Sequence, residues 1–488
     1  MRRNGFSHAA SPRVRTRLSL ADWGTSAPLS RNPSVQNRMT NPSSFANYSR
    51  RLLAFMERAA VASPEPDEFT ALARELCALQ FATVPAFRQL CVARGVTPDS
   101  LAHWRDIPAM PAAAFKELEL TSLLPVERTA VFHSSGTTEH RPSRHYHSSE
   151  SLVVYEASLV PWFARHMMVG RVCPQRAAGP SEPPTDALGQ TRPTFLSLAP
   201  PPEQAPHSSL VHMFATVSRA FGAPDSRFVA NAGADNSWSL DATVTLTALT
   251  HAEQTGQPLV LLGTAFMFVH LLDELEQRAL SLALPPGSRV LETGGYKGRS
   301  RELPKAELHA LLTARLGVPP AAIVCEYGMS ELSSQAYSIA TARASLQSQV
   351  TAGELPTRMP RRTPSPFLGG GEKVAAGRMR GGAANADARN PSPQPSPLLR
   401  GRERASTRVE APLPFSFPPW CRALVISPET GREVPDGETG LLRIFDLANV
   451  RSVLALQTED LAVRRGEGFE LLGRATQAEA RGCSLLAR

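Results

Sequence analysis

Between about residue 129 and residue 345 the chain alternates short β-like runs with longer amphipathic stretches, and this alternation restricts the fold more than any other feature. The runs Thr129–Phe132, Thr194–Leu198, Pro258–Leu262, Arg289–Glu292 and Ala322–Glu326 are separated by Leu152–Met167, Ser208–Phe221, Ser239–Gln254, Met267–Leu280 and Lys305–Leu316, which carry apolar side chains at helical spacing. Strands alternating with helices predict a layered α/β architecture with ligands at the strand ends. Upstream, Tyr48–Glu57, Glu68–Thr83 and Pro85–Arg94 read as helices, with Phe69, Leu72, Leu76 and Leu79 on one face. Downstream, Ala423–Ser427, Gly440–Phe445 and Phe469–Leu472 are punctuated by Gly431, Gly437 and Gly466-Glu467-Gly468, which predicts a small β-rich subdomain.

The remaining segments are basic and lack a core-forming pattern. The formal charge of the 488-residue chain is +8, but residues 1–38 carry seven Arg against Asp22, and residues 358–410 carry eleven Lys or Arg against four acids. Those two segments hold +6 and +7, leaving the body at about −5. A mildly acidic body argues against a nucleic-acid partner. Residues 1–38 mix Arg, Ser, Pro and Gly without periodicity, and Met39 stands just before the cap signal Asn41-Pro42-Ser43-Ser44, which makes Met39 an alternative start of translation to Met1. The second segment repeats Thr363-Pro364-Ser365-Pro366, Asn390-Pro391-Ser392-Pro393 and Gln394-Pro395-Ser396-Pro397, too polar to offset ordering entropy. The expected organisation is a disordered extension (1–38), a helical part (39–128), an α/β core (129–345), a disordered insertion (346–411) and a β-rich part with the C-terminal tail (412–488).

Six cysteines, at 77, 91, 173, 325, 421 and 483, show neither a Cys-x-x-Cys pair nor metal-ligand spacing, which reads as reduced thiols in a cytoplasmic protein. The longest apolar run, Pro258 to Leu272, is interrupted by Gly263, Thr264 and His270 and is too short to span a bilayer. Arg2-Arg3 has no apolar run behind it and does not form a secretory signal.

Four blocks carry chemistry. Ser134-Ser135-Gly136-Thr137-Thr138 follows the first run and offers hydroxyls and convergent backbone N–H groups to an anion, or forms an ordinary turn; it lacks the Gly-Lys-Ser/Thr of a Walker loop. Glu292-Thr293-Gly294-Gly295-Tyr296-Lys297 and Glu326-Tyr327-Gly328-Met329-Ser330-Glu331 each follow a run, which places Gly294, Gly295, Gly328 and Ser330 where a nucleotide meets bare backbone. Tyr327 is either a turn residue or a wall for a base or sugar, and Glu331 either a helix N-terminal charge or a ligand for Mg²⁺. Thr458-Glu459-Asp460 precedes Gly473-Arg474; Asp460 and Arg474 together suit ribose hydroxyls and phosphate, or form a surface ion pair.

Taken in order, these blocks resemble the adenylate-forming superfamily of acyl-CoA ligases, luciferases and peptide-synthetase adenylation domains. A finer resemblance, to the acyl-protein synthetases of the bacterial bioluminescence fatty-acid reductase complex, is carried by Gly263-Thr264-Ala265-Phe266, Gly294-Gly295-Tyr296-Lys297-Gly298-Arg299, Phe417-Pro418-Pro419-Trp420 and Arg481-Gly482-Cys483-Ser484-Leu485. It covers about residues 41–345 and 412–488. Departures are Glu139 where Gly is usual in the first block, and Glu459 in place of Gly in Thr-Gly-Asp. The sequence also ends fourteen residues after Arg474, so the lid carrying the superfamily's catalytic lysine is expected to be missing or vestigial.

The resemblance implies the adenylate-forming large-domain fold, ATP and Mg²⁺ as cofactors, and activation of a long-chain fatty acid to acyl-AMP. The acyl group would then pass to Cys483 and on to a partner acyl reductase. Lys297 and Arg474 are the expected catalytic cations, with Ser134 to Thr138, Gly294, Gly295, Tyr327, Gly328, Ser330, Asp460 and Arg474 on the nucleotide and Glu331 on the metal. Arg481, two residues from Cys483, would favour its thiolate. Cys325 reads instead as a buried strand residue. Two alternatives remain open: a lid-less acyl- or aryl-CoA ligase of the phenylacetate type, and a non-catalytic acyl- or nucleotide-binding subunit.

Overall fold

The computed structural model describes residues 44–134, 141–168, 192–235, 237–296, 300–338 and 414–475. The expectations for residues 1–38, Met39 and 346–411 lie outside these, as do Ser135 to Thr138, Lys297 and Cys483.

The first described elements are the helices Phe45–Val61, Pro66–Thr83 and Pro85–Ala93. Ser44 caps the first by accepting from the Asn47 N–H at 3.3 Å. Pro66 and Pro85 open the other two, where a missing N–H costs nothing, and Pro85 turns the chain by 110° after Thr83. Phe69, Leu76 and Phe87 are fully buried, so this bent pair packs into the core. No single described helix is long and apolar enough to cross a membrane.

Among the described residues one sheet of twelve strands runs through the molecule. Its parallel half is ordered Ile323–Tyr327, Arg289–Thr293, Leu259–Thr264, Thr194–Leu198 and Arg227–Phe228. Phe195, Leu196, Leu261, Leu262, Val290 and Leu291 are all fully buried, as expected for parallel strands covered on both faces. Phe195, Leu262 and Leu291 pack with the helices Ser149–Met167 and Ser209–Phe221. Leu196, Leu261 and Val290 pack with Ala242–Thr255, Ala265–Gln277 and Lys305–Leu316. Each such aliphatic side chain contributes about 1.5–3 kcal/mol on burial, which stabilises the layered arrangement. The mixed α/β fold expected from the alternation is present.

Three features differ from the sequence reading. The run at Thr129–Phe132 does not enter the parallel sheet: Ala130–His133 pairs antiparallel with Arg144–His147 as a separate hairpin. Ser239 and Leu240 lie in the short strand Trp238–Leu240 and not in a helix, because Asp241 accepts from the Val244 N–H at 3.0 Å and starts the helix at Ala242. The strands beyond residue 414 continue the same sheet, in the order Ala336–Ser338, Phe415–Ser416, Gly468–Arg474, Ala455–Arg465, Thr439–Asp446 and Cys421–Ile426. Ala455–Arg465 is hidden in the sequence by its polar centre, Gln457 to Asp460.

Candidate active site

The carboxyl ends of the parallel strands meet at one sheet edge. Thr264 lies opposite Thr293, and Thr293 opposite Glu326, so Gly294-Gly295 and Tyr327-Gly328 leave the sheet side by side. A side chain at Gly294 would meet only open space, whereas Gly295 has φ +98°, a conformation that glycine adopts without strain.

Beyond Tyr327 the chain makes a tight loop before returning along Ala336–Ser338. No helix begins at Glu331, so the reading of this residue as a helix N-terminal charge is incorrect; it sits in a buried loop with 7% exposure. The Ser330 hydroxyl donates to Glu331 Oε2 at 3.0 Å, while no described residue donates to Oε1. The loop is held by Asp446, whose Oδ2 accepts from the Ser333 N–H at 2.9 Å and whose Oδ1 accepts from the Ser334 hydroxyl at 2.7 Å. Burial pushes the Asp446 carboxyl up to about 6, and the hydrogen bonds from Ser334, Ser333 and Ala448 oppose that rise. Asn449 Nδ2 donates to the Glu331 carbonyl at 2.9 Å. In turn Gln80 Nε2 donates to the Asn449 carbonyl at 2.8 Å, and Tyr48 donates to the Leu447 carbonyl at 3.2 Å, which ties this support to the N-terminal helices. Asp446 and Asn449 escaped the sequence reading; a signal was present, since both are polar and stand between the apolar runs Leu441–Phe445 and Val453–Leu456.

The hairpin reaches the same loop. His145 Nδ1 lies 2.9 Å from the Ser330 carbonyl, an acceptor only, so Nδ1 carries the proton. Burial lowers the His145 pKa to about 4, and the ring is neutral at neutral pH. At the hairpin's tip the Ser134 carbonyl-side neighbourhood is closed by two bonds: the Ser134 N–H donates to the Ser143 carbonyl at 3.3 Å, and the Ser143 N–H donates to Ser134 Oγ at 2.9 Å. The Ser134 hydroxyl thus accepts one bond from Ser143 and retains its proton and a second lone pair.

On the other side of Tyr327 stand Asp460 and Arg474. The Tyr327 hydroxyl donates to Asp460 Oδ2 at 2.7 Å across 133 residues of sequence. The Tyr327 ring packs edge-on against Phe415, Phe417 and Phe469, with centroids 6.2, 6.2 and 5.4 Å away. Asp460 pairs with Arg474 in register on adjacent strands, and Arg474 Nε lies 3.7 Å from Asp460 Oδ1. A bulge sets that register: Leu461 faces Gly473 and Ala462 faces Leu471, leaving Leu472 extra, and Gly473 adopts φ +127°. The Arg474 side chain is 65% exposed while that of Asp460 is 12% exposed. Burial raises the Asp460 pKa, and the Tyr327 hydroxyl and Arg474 act against that rise. An exposed pair at this separation adds little stability. Trp420, from the Phe-Pro-Pro-Trp block, is buried and donates to Ser158 Oγ at 2.7 Å; Ser158 is 2.8 Å from Ser334 Oγ in the same loop.

The fold thus brings Tyr327, Asp460 and Arg474 together, joins Ser330 and Glu331 to the hairpin carrying Ser134, and sets Gly294, Gly295 and Gly328 along the same edge. This arrangement presents a carboxylate oxygen to which no described residue donates, a second carboxylate beside a guanidinium, and glycine backbone.

No protein-family model matches the chain, and no curated protein matches it. Among solved structures, 2-hydroxyisobutyryl-CoA ligase in complex with 2-HIB-AMP and CoA aligns with a TM-score of 0.47 and 13% identity over 86% of this chain and 77% of that one. The luciferase-like enzyme of the nonluminescent mealworm Zophobas morio aligns with a TM-score of 0.38 and 13% identity over 74% and 60%. ATP-bound MatB from Rhodopseudomonas palustris aligns with a TM-score of 0.36 and 15% identity over 80% and 58%.

Proposed function

We propose that the protein activates a long-chain fatty acid with ATP and transfers the acyl group to its own Cys483, from which a partner acyl reductase would take it. The observation that carries the nucleotide half of this reading is the convergence of Tyr327, Asp460 and Arg474, far apart in sequence, beside the Glu331 loop. A carboxylate fixed by a tyrosine hydroxyl accepts from ribose hydroxyls, and an exposed guanidinium next to it reaches phosphate. In the first step a carboxylate oxygen of the fatty acid attacks the α-phosphorus of ATP and pyrophosphate leaves. The charge that builds on the phosphates would be met by Arg474, by Lys297 and by the backbone of Ser135 to Thr138, the Ser134 N–H being taken by the Ser143 carbonyl. Glu331 fits a magnesium ligand, with Oε2 held by Ser330 and Oε1 facing no described donor. Magnesium bound there would supply further neutralisation of the phosphate oxygens.

In the second step the Cys483 thiolate attacks the acyl carbon, AMP leaves, and a thioester forms. The support for Cys483 is its place in the Arg-Gly-Cys-Ser-Leu block beside Arg481 and the burial of the described cysteines, Cys77, Cys91, Cys325 and Cys421. Cys325 is a poor nucleophile, because burial and the adjoining Glu292 carboxylate push its thiol up to about 12.

Exchange of labelled pyrophosphate into ATP, measured with and without fatty acid, tests the first step. In Cys483→Ala that exchange is expected to persist while covalent labelling by radioactive fatty acid, released from the parent by neutral hydroxylamine, disappears. Hydroxylamine-labile label on Cys483→Ala would move the acceptor elsewhere. Fatty-acid-independent exchange, or none, in the parent would remove the adenylation reading itself.

A further inference from the structure

Three ligand-type side chains outside the site just described converge on one point. Glu292 and Cys325 are direct neighbours in register on the parallel strands Arg289–Thr293 and Ile323–Tyr327, so their side chains leave the sheet on the same face. His309 comes down on them from the helix Lys305–Leu316, whose Leu308, Leu312 and Leu316 are buried against that face. Cys325 Sγ is 3.3 Å from Glu292 Oε2 and 3.6 Å from His309 Nε2, and His309 Nε2 is 3.4 Å from Glu292 Oε2.

These three separations suit a coordination triangle as well as a hydrogen-bonded trio. An imidazole N–H donating to a carboxylate sits at about 2.7–3.2 Å, and the observed 3.4 Å lies outside that range. In a tetrahedral zinc site, bond lengths of about 2.3 Å to sulfur, 2.05 Å to nitrogen and 2.1 Å to oxygen place the donor atoms about 3.6 Å (S to N), 3.6 Å (S to O) and 3.4 Å (N to O) apart. Two of the observed edges agree with these values and the third is shorter by about 0.3 Å. The single imidazole nitrogen faces both partners, as a ligand's lone pair would. Thiolate, imidazole and carboxylate together favour zinc over magnesium or calcium, which take oxygen.

We propose that Glu292, His309 and Cys325 form a binding site for one zinc-class divalent cation, separate from the magnesium expected at Glu331. Binding exchanges the Cys325 thiol proton for a sulfur–metal bond and releases the proton to solvent. His309, with 22% of its side chain exposed, marks the route from solvent. The consequence for the nucleotide half of the molecule is mechanical. Glu292 lies two residues before Gly294 and Cys325 two before Tyr327, so the cation would fasten both strands, and the loops they lead into, to one helix. Lys305 is the competitor. It stands one helical turn before His309, with its ammonium 4.9 Å from the Phe415 ring; burial is the largest influence raising the pKa of both Glu292 and Cys325, and the Lys305 charge acts against it in each. If Lys305 alone balances these groups, no metal is needed.

Cobalt(II) titration of the full chain after chelation and desalting decides between the two. One equivalent is expected to produce a thiolate-to-cobalt charge-transfer band that zinc abolishes. Cys325→Ser should lose the band, and His309→Gln, at the corner nearest solvent where folding is least at risk, should lose one-equivalent binding. Glu331→Gln should retain both, which separates this site from the nucleotide site. Absence of the band at one equivalent in the parent, or its survival in both Cys325→Ser and His309→Gln, would overturn the proposal.

Discussion

Glu331 is a carboxylate kept almost entirely from solvent by a loop that is itself anchored through Asp446 and Asn449, and such an anion is costly to bury unless it meets a cation. Glu331→Gln keeps the shape and removes the charge, so fatty-acid-dependent pyrophosphate exchange is expected to fall by about 10²-fold or more, with the melting temperature unchanged or raised. Exchange within a few-fold of the parent would exclude Glu331 as the metal ligand. His145 makes a second prediction. Its pKa is about 4 in the fold against 6.5 ordinarily. Between those values the unfolded chain holds a proton that the folded chain excludes, so stability present above about pH 6.5 is lost as pH falls toward about 4. Compared with His145→Asn, the parent's stability advantage should therefore shrink by up to about 3 kcal/mol between about pH 7 and pH 4, read by urea denaturation at each pH. Asp446, pushed up to about 6, and Glu326, pushed up to about 8 by burial, act with the opposite sign and largely cancel in the comparison because both proteins contain them. A difference that does not vary with pH would mean that His145 is not held neutral.

At the scale of elements, the bulge in Gly468–Arg474 determines what the site presents. Without the extra residue Leu472 the register would slip by one, and Arg474 would turn away from Asp460. Gly473 makes the bulge possible because φ +127° is open to glycine and strained for any side chain, although nothing crowds the position. Gly473→Ala is expected to cost about 1–3 kcal/mol in chemical denaturation and to raise the KM for ATP in the exchange assay. An unchanged KM with the same loss of stability would make the bulge structural only. The hairpin Ala130–His133 with Arg144–His147 has the corresponding role on the other side, since its one described polar bond to the Glu331 loop, from His145 to Ser330, ties the hairpin and the adjoining Ser134 to that loop.

At the scale of the whole molecule, residues 346–411, expected from the sequence to be an insertion, lie outside the described residues. The strands Ala336–Ser338 and Phe415–Ser416 pair antiparallel with Ser338 opposite Phe415, so the chain leaves and re-enters the sheet at one place. Shortening the segment between them is therefore expected to leave both strands in place. Excision of residues 358–410 is expected to leave the exchange rate and the cooperative unfolding transition intact. Loss of soluble, folded protein would show that the segment contributes to the core.

Periodicity and local chemistry were legible in the sequence because they depend only on neighbours along the chain. The parallel strands near Thr194, Leu259, Arg289 and Ile323 and the helix Lys305–Leu316 were placed to within a few residues, since an apolar run or a 3.6-residue repeat is a local property. The blocks around Tyr327, Asp460 and Arg474 were visible for the same reason. Arrangements that depend on which strand lies beside which were not. Arg144–His147 is a strand only because Ala130–His133 pairs with it, and Glu331 is buried only because Asp446 and Asn449, more than a hundred residues later, supply the bonds its loop lacks. Glu292, His309 and Cys325 have no metal-binding spacing in sequence; parallel register and one packed helix make them neighbours, because a sheet places residues by hydrogen-bonded partner and not by distance along the chain.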